Sequence, residues 1–262
     1  MSDVAGSLSL FDVFVASLMM LITLAISKSL KLSLGKTLII ASARTVVQLS
    51  LIGLILAWVF AGSSAWQVLS ILTVMTLIAS FAAKNRIKRP YQGLLFDTII
   101  SLSVATTVVT ALAIIAVLKI TPWHTPQFII PILGLILGNS LTAISLTANE
   151  LINTIYDKRS QITALLALSA TPFESTHALI KTSIINGMTP TINSMMIVGL
   201  VSLPGMMTGQ ILAGIEPTGA VRYQIVTMFF ICTGSMLSCT LSALLIVRRF
   251  FNGRGQLILP RV

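Results

Sequence analysis

Apolar residues fill long blocks separated by short polar links, at 8–26, 37–60, 66–83, 93–118, 128–148, 190–215 and 223–247. Each block approaches or exceeds the roughly 20 helical residues that cross a hydrocarbon layer about 30 Å thick. None alternates apolar with polar positions, and all are too long for the roughly ten-residue strands of a membrane barrel. The pattern predicts an all-α polytopic membrane protein with about seven transmembrane helices. It shows no internal repeat and no low-complexity linker, so residues 1–262 are expected to form a single membrane domain.

The links carry the charge that sets topology. Lys28, Lys31 and Lys36 follow the first block; Lys84, Arg86, Lys88 and Arg89 the third; Lys158, Arg159 and Lys181 the fifth; Arg248, Arg249, Arg254 and Arg261 the seventh. The other links hold only Lys119 and Arg222. Basic residues stay on the cytoplasmic side, which predicts an outside N-terminus and a cytoplasmic C-terminus. The N-terminus lacks a basic region and small-residue cleavage site, so the first block is expected to be retained.

The sixth block is interrupted at Pro204-Gly205. Proline removes a backbone donor and glycine weakens the helix, so a break is expected there. Neither half could cross alone, and counting two spans would put the arginine-rich tail outside; the interruption therefore belongs to one span. Its freed backbone groups must face protein or a wet cavity. With Pro190 taken as the helix start, the break lies roughly 20 Å from the cytoplasmic side. That is a place for a gate.

Between the fifth and sixth blocks lies the segment 149–189, with two short helical patterns around Thr171-Pro172 in 162–184. Thr171 suits an N-cap and Pro172 a first helical residue. This amphipathic hairpin at the inner membrane face is suited to docking a cytosolic partner.

Composition sharpens the class. Charged residues make up 9% and apolar residues 55%, whereas soluble domains carry about 25% charge. The net charge of +10 falls in the links and not on a basic face with interleaved aromatics, so nucleic acid is not an expected partner. The two cysteines, Cys232 and Cys239, share one apolar block and offer no disulfide framework or zinc motif.

The hairpin is similar to the cytoplasmic coupling loop of ABC-transporter permeases, with Ser169 where glycine is usual. Together with "PILGLILGNSL" (131–141), "LSATP" (168–172), "VGLVSLPGMMTGQILAGIEP" (198–217) and "YQI" (223–225), the chain closely resembles the FetB (YbbM) family of permease subunits. The resemblance spans essentially the whole chain and is densest from Pro131 onward. It implies a multi-pass subunit of the cell membrane, working as a homodimer with a separate cytosolic ABC ATPase subunit. That partner would bind ATP-Mg, leaving no cofactor in this chain. The expected cargo is a metal ion, with iron leaving the cell as the first expectation; plant relatives are linked to aluminium tolerance. Leu168, Ser169, Ala170, Thr171, Pro172 and Phe173 are the expected ATPase-coupling residues. Asn193, Met195, Pro204, Gly205, Met206, Met207, Asn139 and Glu150 are the expected gate and translocation path.

Individual motifs admit competing readings. "LGKT" at 34–37 imitates the tail of a nucleotide loop, but position 30 is Leu and a membrane span follows. Met206 and Met207 could offer thioethers to a metal, a soft donor set poorly matched to ferric iron; equally, methionines fill irregular space beside a broken helix. Arg44 and Asp97 each lie eight residues past the last basic residue of their link, roughly 12 Å deep. They are expected to pair or to face one cavity, with Gln48 near Arg44. Gly134 with Gly138, and Gly205 with Gly209, form rows that let helices approach, and Asn139 could bond across the first. Asn149 and Glu150 end the fifth block, where Glu150 could draw a cation inward. His124 and His177 fall on opposite sides and cannot share a metal. No HExxH, GxSxG or paired-carboxylate motif is present, so the chain is not expected to be an enzyme. A competing class is an ATPase-coupled signalling or mechanical subunit that moves no metal.

Overall fold

The computed structural model describes residues 10–61 and 64–258. Leu8, the expected start of the first span, and Arg261 lie outside the described residues. The chain divides into two compact units, Met1–Gly62 and Ser63–Val262, and the described residues are helical with no strands.

In the first unit α1 (Leu10–Ser29) packs on α2 (Gly35–Ala61). The turn between them closes with Leu32 N–H donating to Ser27 O, while Lys31 and Ser33 take positive φ of 51° and 56°. Both helices keep large apolar side chains such as Phe11, Ile22 and Leu54 exposed, as lipid-facing helices do.

The second unit holds α3 (Ala65–Arg86), α4 (Leu94–Ala111) continued by a π-helical turn (Leu112–Val117), α5 (Pro126–Asp157), α6 (Arg159–Ala167), α7 (Pro172–Ile197), α8 (Gly205–Leu212) and α9 (Pro217–Phe250). The central helix is α5, which packs against α3, α4, α7 and α9. Proline at its first turn follows the extended Thr125, the placement in which the missing N–H costs nothing. Its buried positions recur every three or four residues, through Ile129, Leu133, Ile136, Ser140, Ile144, Ala148, Leu151 and Ile155, so one broad stripe faces protein.

Lipid tails are as apolar as leucine, so close packing must hold such helices together. Two glycines permit it. A Cβ on Gly187 of α7 would collide with the Thr147 hydroxyl and stand 2.8 Å from the Ala143 carbonyl on α5, and one on Gly234 of α9 would stand 2.5 Å from Ile136 Cγ2. The expected glycine rows contribute less: Cβ atoms on Gly138, Gly205 or Gly209 would meet nothing within 4 Å, and one on Gly134 would meet only Met75 Cε at 3.4 Å. Asn139 accordingly bonds within its own helix, Nδ2 donating to Leu135 O at 2.8 Å.

Six described helical stretches are long and apolar enough to cross a membrane, the α4 stretch including its π-turn. The expected sixth block, 190–215, is not a single helix. Its first part belongs to α7, which starts far earlier because Thr171 and Glu174 form a reciprocal capping box, and which continues through Pro190 to Ile197. Pro190 lies inside α7 and leaves the Asn186 carbonyl without its helical donor. The hairpin's second arm and the start of the sixth block are thus one helix. Similarly, α5 runs on to Asp157, so Asn149 and Glu150 sit within a helix and not at its end.

One end of this unit gathers the basic links. Ile87, Tyr91 and Leu94 from the α3–α4 link pack with Leu151 and Ile155 of α5, Ile162 of α6, Leu179 of α7 and Phe250 of α9. The clusters at 84–89, 158–159 and 248–249 border this core. Arg89 lies over the Tyr156 ring, 5.2 Å from its centroid.

Candidate translocation cavity and coupling turn

α7 ends where Gly199 adopts φ 84°, a left-handed conformation that glycine takes without strain. Gly199 N–H donates to Ser202 O at 2.9 Å and Val201 N–H to Ile197 O at 3.0 Å, folding 198–202 into a closed turn. Pro204 then stands at the N-cap of α8 with φ −62°. The interruption therefore begins at Val198, six residues before Pro204-Gly205; the proline starts a new helix and does not kink an old one.

Behind this turn lies a cavity of about 260 Å³ between α5, α7, the start of α8 and α9. Asn139, Thr191, Gly205, Met206, Gln224 and Thr227 contribute to its wall. Thr227 Oγ1 donates to Tyr223 O at 2.8 Å and lies 3.9 Å from Met206 Sδ. Gln224 is only 6% exposed, and its Oε1 has no hydrogen-bond partner.

Of the expected path residues, Asn139, Pro204, Gly205 and Met206 line this cavity. Met207 is buried elsewhere, since successive helical residues diverge by about 100°; the two thioethers do not face the cavity together. Asn193 is exposed and Met195 half-buried, neither in the cavity wall, where α7 presents Thr191 and Ser194. Glu150 lies eleven residues along α5 from Asn139, roughly 16 Å away, and accepts a long 3.4 Å contact from Thr154 Oγ1. Gln224 has no role in the sequence-based expectation, although "YQI" contains it. A glutamine and a threonine three residues apart in an apolar span were the available signal.

At the opposite end the six residues expected to couple to an ATPase form the exposed tip between α6 and α7. Leu168 is 79% exposed and Phe173 49%. Ser169 takes φ 67°, the left-handed region where glycine is at ease. Ala170 N–H closes the turn on Leu165 O at 3.0 Å. Thr171 N–H donates to Glu174 Oε2 at 2.7 Å, and Glu174 N–H returns to Thr171 Oγ1 at 3.2 Å. The Thr171 backbone N–H, and after it the hydroxyl, hold the Glu174 carboxyl below the usual carboxylate range. Pro172 rests against Gly255, in the segment after α9, where Phe251 and Leu257 form a short bridge.

Asp97, 3% exposed, is held by Arg249 from α9, with Nε and Nη2 each 3.2 Å from a carboxylate oxygen. Tyr91 OH donates to the same carboxylate at 2.7 Å, and burial raises the Tyr91 phenol above its ordinary value. The cation on Asp97 is thus Arg249, where the sequence led us to expect Arg44; Arg44 belongs to the first unit. Asn149 fastens the adjacent link, accepting from Lys88 N–H at 2.8 Å and donating to Arg86 O at 2.9 Å. Cys239 is buried against Met188, and both cysteines are free thiols. Among the described residues no three His, Cys, Asp or Glu side chains gather into a metal cluster.

No solved structure matches the chain. It is 37% identical to the UPF0014 membrane protein slr1647 of Synechocystis, with 87% of this chain and 88% of that protein covered. It is 36% identical to the UPF0014 membrane protein YjkA of Bacillus subtilis, covering 96% and 97%. To the probable iron export permease protein FetB of Escherichia coli it is 32% identical, covering 94% of each. Residues 10–251 match the Uncharacterised protein family UPF0014, and with its apolar helices the chain is a multi-pass membrane protein belonging to that family.

Proposed function

We propose that this chain is the membrane-spanning permease of an ABC transporter that exports metal, iron first among the candidates. A separate cytosolic ATPase subunit would bind ATP-Mg and drive two copies of this chain. The observation that carries the reading is the cavity at the α7–α8 interruption, whose largely apolar wall includes Asn139, Thr191, Gln224 and Thr227, in a protein 32% identical to a probable iron export permease. Irregular backbone at membrane depth is tolerated only where it borders protein or water.

The exposed Leu168–Phe173 tip supports the second half of the reading. It is rigid, because the capping box and the buried Ile162 and Leu179 fix both arms. It is also continuous with α7, whose far end forms the cavity wall. A push on the tip would reach the cavity along one helix. Deleting this chain from its host and measuring cellular iron tests the direction: excess iron is expected on loss of an exporter, and depletion would contradict export.

A further inference from the structure

We infer that the transport path continues past this cavity into a second, smaller chamber, and that Met206 with Thr227 forms the septum between the two. The inference rests on the transport reading above and adds the gate that controls the same cavity.

The second chamber has a volume of about 40 Å³, and its wall includes Gln127, Phe128, Gln210 and Tyr223. Met206 and Thr227 line this chamber and the 260 Å³ cavity alike, and no other described residue lines both. Along α5 the wall passes from Gln127, Phe128, Pro131 and Ile132 in the small chamber to Leu135 and Asn139 in the larger cavity. Pro131 and Asn139 are eight residues apart, roughly 12 Å of helix. Along α8 the wall runs the other way, from Gly205 and Met206 in the larger cavity to Gln210 in the small chamber. Two helices thus lead from one space to the other past the same two side chains. Because α5 begins at the small chamber and ends at the basic link 158–159, that chamber lies nearer the face remote from the coupling tip.

The septum has the chemistry of a movable seal. Thr227 Oγ1 donates to Tyr223 O at 2.8 Å and meets Met206 Sδ only at 3.9 Å, so no strong bond fixes the thioether. A methionine side chain is unbranched, turns about three bonds and adapts to irregular space. Met206 is half-buried with open volume on both sides, so rotation of its side chain can join the two spaces while α8 stays in place. Until it turns, an apolar plug stops water and ions by dewetting the constriction, and the small chamber has room for no more than a few water molecules. Met207 is different in kind, since it is 6% exposed and lines neither space.

The test uses the full chain in right-side-out membrane vesicles, with Cys232→Ala and Cys239→Ala removing the native thiols. Thr191→Cys then places one thiol in the larger cavity, where Thr191 is 5% exposed and takes no part in the wall of the small chamber. A membrane-impermeant, positively charged methanethiosulfonate is added to the face remote from the coupling tip, the sidedness being set by the silence of Leu168→Cys in a parallel sample. With Met206 in place labelling should be slow. Met206→Ala should speed it by about tenfold or more by opening the constriction, whereas Met206→Leu, which conserves volume, should keep it within about twofold of the unaltered rate. Met207→Ala removes the same atoms from a more buried position, so general loosening would speed labelling at least as much there; the septum predicts no change. Fast labelling with Met206 present, no acceleration in Met206→Ala, or equal acceleration in Met207→Ala overturns the inference. Capture of the ATPase subunit by the coupling tip is scored separately, so loss of the septum leaves the transporter reading standing, and loss of capture counts against that reading alone.

Discussion

Arg249 reaches across 152 positions of sequence to grip Asp97 with two nitrogens, each 3.2 Å from a carboxylate oxygen. It passes directly over Gly93, where φ is 95° and an added Cβ would stand 3.2 Å from the guanidinium carbon. The contact ties the start of α4 to the end of α9. Removing the cation leaves a carboxylate that is 4% exposed without its charge partner.

Arg249→Ala should lower stability by about 2 kcal/mol, less than the roughly 3–5 kcal/mol of breaking a fully buried pair because the guanidinium is half in solvent. Thermal melting in detergent measures it. Asp97→Asn combined with Arg249→Ala should recover part of the loss, and a double-mutant cycle showing no coupling would contradict the pairing.

Gly187→Ala should destabilise by about 1–3 kcal/mol, the usual cost of forcing volume into a tight contact, because its Cβ collides with Thr147 and crowds the Ala143 carbonyl. Gly138→Ala, with nothing within 4 Å, should be neutral or stabilising by up to about 1 kcal/mol from helix propensity. Equal melting shifts for the two would contradict the packing described.

At the coupling tip, Leu168→Glu and Phe173→Glu should each reduce recovery of the ATPase subunit in a pull-down at least tenfold while leaving the melting temperature within a degree or two. Both side chains project from the fold, and exposed substitutions seldom disturb stability. ATPase recovery that survives replacement of residues 162–183 by a flexible linker would remove the docking role.

Glu174 gives a pH dependence of known sign. Its carboxyl is held below the usual range by the Thr171 backbone N–H and hydroxyl. The capping contribution is therefore complete above the ordinary carboxylate pKa of about 4 and disappears as pH falls through the lower folded value. Melting of the unaltered chain should fall more steeply below about pH 4 than that of Glu174→Gln, and parallel curves would contradict the capping box.

Most of the fold was legible because apolar blocks and membrane-length helices are the same constraint seen twice. The 128–148 block became the core of α5, and 223–247 the core of α9. Each helix extends beyond its block because apolar residues set among the flanking polar ones, Leu151 and Ile155 in α5 and Ala220 and Phe250 in α9, still pack on protein. The α6–α7 turn was legible for a local reason, Thr171, Pro172 and Glu174 being a self-contained start signal. What stayed hidden is non-local. Pro190 imitates a helix start but sits mid-helix in α7, where the chain's own capping box had already fixed the register. Gly187 and Gly234 belong to no glycine row, so nothing along the chain marks them as the points where helices meet. Asp97 shows the same limit: depth in the span identified a charge in need of a partner, but only the packing of α4 on α9 selected Arg249.

ATP-dependent flux of radioactive iron is the most direct test of the central claim. Proteoliposomes would contain this chain and its ATP-binding subunit, with radioactive iron offered on the ATPase-facing side. The account predicts accumulation that requires ATP and is lost in the tip variant Phe173→Glu. Iron flux unchanged by this substitution, or no ATP-dependent flux while ATPase stimulation persists, would contradict it.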